Sequence, residues 1–138
     1  MNQKGRPGYD NVQFLDEAVE DMRLLAQRSR PVLVEVLRRL KLLDRGELTP
    51  EPLHDFAKTG DLTDCGKIVI AMDGAPEYRV VVRAVSGSYE VSEVVAVEDR
   101  SGDLPYLLAG IRLGRLNDPV RRSDTMRRIH RIRQQLED

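Results

Sequence analysis

Apolar and polar positions alternate along this chain with periods that change several times, and each change predicts an element. Asn11 to Phe14 reads as a short strand with Val12 and Phe14 on one face. From Asp16 the spacing lengthens. Leu15, Ala18, Val19, Met22 and Leu25 recur at three- and four-residue intervals, one apolar face of a helix. Ser29-Arg30-Pro31 breaks it, and Pro31 suits the first turn of a second helix, where Val32, Leu33, Val36, Leu37, Leu40 and Leu43 form a stripe. The tight break predicts an antiparallel helical hairpin. Asp44 to Gly60 holds Gly46, Pro50 and Pro52 and predicts a loop. Lys67–Ala71, Tyr78–Val85 and Tyr89–Val97 predict strands, with turns at Asp73–Pro76 and Ser86–Ser88. Asp99–Asp103 is a polar loop, and Leu104–Gly114 predicts a helix with Pro105 in its first turn. Asp118-Pro119 is a good helix start, followed by Val120, Met126, Ile129, Ile132 and Leu136 on one side and arginines elsewhere.

The order β-α-α-β-β-β-α-α predicts an α+β fold, with helices on one side of a small, mostly antiparallel sheet. Short connections make the last three strands a meander.

Length and composition narrow the class. A chain of 138 residues suits one domain. Aromatics are only 4% and Trp is absent, so the core must be aliphatic. The net charge of −1 hides an asymmetry: Arg112 to Arg133 carries eight arginines against two aspartates, +6, which leaves −7 for the rest. Such segregation points to an anionic partner, or to a solvated arginine-rich helix. A lone Cys65 and distant His54 and His130 offer no metal-ligand spacing. No apolar run is long enough for a membrane span, and MNQKGRPGYD lacks the apolar core of a secretory signal, so a loose N-terminal arm over residues 1–10 and a reducing cytoplasm are expected.

The candidate chemistry lies between Leu62 and Arg115. Lys67, Arg79, Arg100 and Tyr106 are spread over three predicted strands and the start of a helix. Cations and a phenol on a small sheet can hold a phosphate and move a proton without a metal or cofactor, which makes RNA the first substrate to consider. The plain alternative is a half-solvated sheet face, since Arg79 alternates with Val81, Arg83 and Val85.

The pieces VQFLDEAVEDMRLL, PLHDFAKTGDL, GKIVI, EYRVVVRAV, VVAVEDR and YLLAGIRLGR, in this order and spacing, resemble the RelE/ParE superfamily of toxins from bacterial type II toxin–antitoxin systems. The resemblance spans residues 11–115 and leaves 116–138 as an arginine-rich helical extension, whose stripe would dock on the domain or on a second copy of the chain. It implies a RelE-like fold and one of three activities: an endoribonuclease that cuts mRNA, often on the ribosome; a ParE-like gyrase poison; or a degenerate member that only binds RNA or protein. The partner implied is a cognate antitoxin. In the ribonuclease branch Lys67 would contact phosphate or act as base, Arg79 would stabilise the transition state, Arg100 would serve the phosphate or the leaving group, and Tyr106 would orient a base or the attacking hydroxyl. Arg83, Arg112 and Arg115 are candidate RNA contacts. One departure stands out: that branch often carries an ionisable residue two positions after the lysine, and here it is Val69. The general base is thereby open between Lys67 and Asp99, and Asp99 could equally be a structural partner of Arg100.

Overall fold

The computed structural model describes residues 8–137. Its centre is two runs of consecutive small apolar residues, Val80–Val82 and Val94–Val97. A strand alternates its side chains between faces, so such runs place apolar groups on both faces and need cover on both. They lie in β6 (Tyr78–Ser86) and β7 (Val91–Asp99), inside a mixed five-stranded sheet of order β1-β7-β6-β5-β2. The flanking strands are β1 (Val12–Phe14), β5 (Cys65–Ile70) and the two-residue β2 (Glu51–Pro52). β1 pairs with β7 in parallel, and the other pairings in the sheet are antiparallel. The meander of β5, β6 and β7 is as the sequence predicts.

One face is covered by α1 (Asp16–Arg28) and α2 (Arg30–Asp44). Ser29 makes the junction: its N–H closes α1 on the Leu25 carbonyl at 2.8 Å, and its hydroxyl caps α2 by accepting the Val32 N–H at 3.4 Å. Val36, Leu40 and Leu43 of α2 pack there with Ile68, Val80 and Val82. Burying each such side chain contributes roughly 1.5–3 kcal/mol. The other face carries α3 (Leu104–Arg112) and α4 (Pro119–Glu137), which enclose Val81, Val95 and Ala96. The helices are thus not confined to one side of the sheet, as the element order alone had implied. The odd-numbered Val81 and Val95 would otherwise face water.

The segment expected to be a loop also carries structure. Beyond β2, Asp55–Phe56 (β3) and Gly60–Asp61 (β4) form a two-stranded hairpin. α4 rotates away from the expected stripe. Val120 and Met126 are 69% and 47% exposed, and Thr125 takes an inward position with its hydroxyl donated to the Lys58 carbonyl at 2.9 Å. α4 therefore docks on its own domain, with Ile129 and Ile132 buried. Of the expected N-terminal arm, residues 1–7 lie outside the described residues. Tyr9 is edge-on to Phe14 at 5.3 Å, and the Asp10 and Asn11 N–H groups donate to Asp44 Oδ1.

β1 is short, and this leaves part of β7 without a strand partner. Leu15 N–H still donates to the Val94 carbonyl at 3.0 Å, but beyond it an ion pair takes over. Asp21 Oδ2 accepts the Val97 N–H at 3.0 Å, and Arg112 Nη1 donates to the Val95 carbonyl at 3.0 Å. The two side chains pair with each other at 2.6 and 3.0 Å, and their exposures are 9% for Arg112 and 2% for Asp21. Removing one partner of such a buried pair strands the other charge. Asp21→Ala is therefore expected to lower folding stability by about 3–5 kcal/mol, read from the shift of the urea unfolding midpoint. A loss below 1 kcal/mol would contradict the assignment.

Candidate active site

Arg79 sits near the start of β6, where alternation turns it to the same face as Val81 and Arg83, the face that α3 covers. The guanidinium meets the first turn of α3. Arg79 Nη1 donates to the Tyr106 hydroxyl at 2.6 Å, and the ring centroid is 6.0 Å from its guanidinium carbon. Nε and Nη2 of Arg79 both donate to Glu77 Oε2, at 2.9 and 2.7 Å. Arg100, just after β7, completes the group: its N–H donates to the Glu77 carbonyl at 3.1 Å, and its Nε lies 3.8 Å from Glu77 Oε2. The hydrogen bond to Tyr106, and after it the bond to Glu77, raises the Arg79 guanidinium above its ordinary value against the opposing effect of burial. Arg79 is a fixed cation here, suited to stabilising charge and not to moving a proton.

Three of the four proposed catalytic residues thus come together: Arg79 and Arg100 share Glu77, and Tyr106 joins through Arg79. Lys67 does not join them by any contact. Its register partner is Val81, two positions from the Val69–Arg79 pair, and it lines a hollow at the β5 edge with Arg39 and Glu51. Asp99, the other candidate base, turns inward and accepts the Ser101 N–H at 2.9 Å, so it shapes the turn after β7. Glu77 was not singled out in the sequence because it lies in the turn-rich segment before β6. Its position two residues before Arg79 is the one available signal.

The remaining expected RNA contacts are committed elsewhere. Arg112 is the buried partner of Asp21 and offers RNA no free face. Arg115 makes a two-pronged contact with Asp64, 2.8 Å on each side, which holds the Asp64 carboxyl below the usual carboxylate range. Arg83 pairs with the buried Glu93 at 3.1 Å, four residues, or about 13 Å, along the strand from Arg79. His54 is exposed and edge-on to Phe56, and His130 is exposed on α4.

Tyr106 also lines a groove of about 320 Å³ between the β3–β4 hairpin and the start of α3, together with Phe56, Lys58, Thr59, Asp103 and Leu107. Phe56 is 40% exposed, an aromatic face at the lip. The groove depends on how closely the hairpin approaches α3. A Cβ on Gly110 would fall 2.2 Å from the Thr59 carbonyl oxygen, so only glycine permits this spacing. Among the described residues no group of three or more His, Cys, Asp and Glu side chains is placed to hold a metal ion, and no helix is long and apolar enough to cross a membrane.

No protein-family model matches the chain, and no curated protein or solved structure matches it either.

Two outcomes follow from this geometry. Gly110→Ala should push the hairpin off α3 and destabilise the fold by about 1–3 kcal/mol, with trypsin cleavage at Lys58 accelerated; an unchanged cleavage rate would refute the close packing. Burial pushes the Cys65 thiol up to about 12. Folded protein at pH 8 should therefore leave Cys65 unreacted with a disulfide reagent and react only on unfolding, as followed by thiolate release.

Proposed function

We propose that this protein is a RelE-like endoribonuclease, the toxin of a type II toxin–antitoxin pair, which cleaves mRNA by attack of a ribose 2′-hydroxyl on the adjacent phosphate. The observation that carries this reading is the double role of Tyr106: one side chain belongs both to the Arg79–Glu77–Arg100 cluster and to the aromatic-lipped groove. A phosphate at the cluster would place a neighbouring base over Phe56, and stacking on an aromatic side chain holds a single strand with little sequence preference.

The reaction forms a bond from the 2′-oxygen to phosphorus and breaks the bond to the 5′-oxygen, leaving a cyclic phosphate and a free 5′-hydroxyl. Arg79 and Arg100 would stabilise the charge on the phosphorane oxygens, usually the largest contribution in such chemistry. Glu77 supplies the carboxylate that the sequence lacked at Val69. Its Oε2 holds Arg79, while Oε1 makes no hydrogen bond to a described residue and would receive the 2′-hydroxyl proton. Tyr106, held by Arg79, would orient the attacking hydroxyl, and Lys67, which has no ion pair among the described residues, would supply the proton to the leaving oxygen from two register positions away. The convergence of Arg79, Arg100 and Tyr106 supports the ribonuclease over the gyrase reading, which needs no such cluster. A cognate antitoxin would silence the protein by covering this face.

Expression of the unsubstituted chain in a bacterial host should arrest growth and give discrete mRNA ends by primer extension. Arg79→Ala should abolish both, with cleavage reduced roughly 10²–10³-fold as for loss of one oxyanion donor, in a protein whose thermal unfolding is intact. Arrest with gyrase-linked DNA breaks and intact mRNA would sink the ribonuclease reading.

A further inference from the structure

α4 carries arginines of two kinds. Arg121 donates to the Ala57 carbonyl, Arg127 is tied to Asp124, and Arg133 faces Glu98 at 3.7 Å. Arg128 and Arg131 make no hydrogen bond or ion pair with any described residue. Both line a hollow of about 230 Å³ between α4 and the turn Ser101–Asp103, together with Gly102, Ile132 and Gln135. Among the described residues no carboxylate lines it: Asp99 is turned inward to Ser101, and Asp103 lines the groove beside Tyr106 instead. Two guanidiniums with no ion pair to a described residue, an amide and a glycine around one hollow form an anion receptor.

The hollow is rigidly linked to the cluster. Gly102 has φ +58, and a Cβ there would fall 2.7 Å from Ile132 Cδ1, so the turn rests directly on α4. Arg100 is two residues earlier, within about 7 Å along the chain. A strand with its scissile phosphate at Arg79 and Arg100 would carry its next phosphates over this turn.

We propose that Arg128 and Arg131 form a second phosphate site, which holds the backbone of single-stranded RNA beside the Arg79 cluster. The inference rests on the RNA reading above and adds a binding surface to it. RNA rather than an acidic protein is favoured because the hollow is small and polar, and Gly102 of its turn follows Arg100 by two residues.

The test is fluorescence anisotropy with a labelled single-stranded RNA of roughly ten nucleotides, titrated at several salt concentrations. Each phosphate contact on a single strand contributes about 0.7 to the slope of log affinity against log salt, so Arg128→Gln/Arg131→Gln should lower the slope by about 1.4 and weaken binding about tenfold at low salt. Arg128→Lys/Arg131→Lys should keep the slope, which guards against a folding defect. Arg23→Gln/Arg38→Gln removes the same charge from exposed, ion-paired positions and should leave the slope unchanged. Equal slopes in the two glutamine pairs overturn the proposal, as does the absence of RNA binding by the unsubstituted chain, which would leave α4 to an acidic protein partner. The two readings fail separately. mRNA cuts lost in Arg79→Ala but an unchanged slope on α4 would remove only the second site, whereas a lowered slope without any cutting would remove only the catalytic reading.

Discussion

The ladder edge of β7 is the constraint on which the rest of the structure depends. β7 must be buried on both faces, yet its parallel partner β1 is three residues long. Unpaired backbone groups in the interior are costly. Asp21 and Arg112 answer this by bonding to the Val97 N–H and the Val95 carbonyl and to each other. Since Asp21 belongs to α1 and Arg112 to α3, the same four groups fix the helix on one face of the sheet relative to the helix on the other. The site inherits that geometry, because Tyr106 lies six residues before Arg112 on α3 and its hydroxyl must meet Arg79 on β6.

The site is a compromise between exposure and order. Arg79 and Glu77 are paired and partly shielded, with exposures of 20% and 29%, while Arg100 remains 55% exposed. The carboxylate that orders Arg79 also competes with any incoming phosphate for it. An anionic ligand would have to displace or share Glu77.

Much of the fold was legible because the period of apolar residues is a local property. The helical hairpin and the meander followed from spacing at Leu15–Leu43 and from β-branched runs at Tyr78–Val97. The double-sided cover could have been read from the unbroken runs at Val80–Val82 and Val94–Val97, which argue against a half-solvated sheet. The β3–β4 hairpin was hidden because Pro50, Pro52 and Gly60 read as breakers, and its stability comes from α3 and α4 rather than from its own residues. Of the candidate site, the sequence offered the cations and the phenol, and in the fold Arg79 bonds to Tyr106 and shares Glu77 with Arg100. Which arginines are spent on structure was not legible: Arg112 and Arg115 look like Arg128 in sequence, and only the position of Asp21 and Asp64 in space separates them.

The parallel pairing of β1 with β7 joins Val12 to Ser92 across 80 positions of chain. Contacts so distant in sequence form late and slow folding. During synthesis the α1–α2 hairpin emerges well before β6 and β7 exist, so the apolar stripe of Val36, Leu40 and Leu43 must wait for its sheet while the ribosome makes the next fifty-odd residues. The nascent chain is therefore at its stickiest midway through translation, when a co-translational binder would have most to offer it.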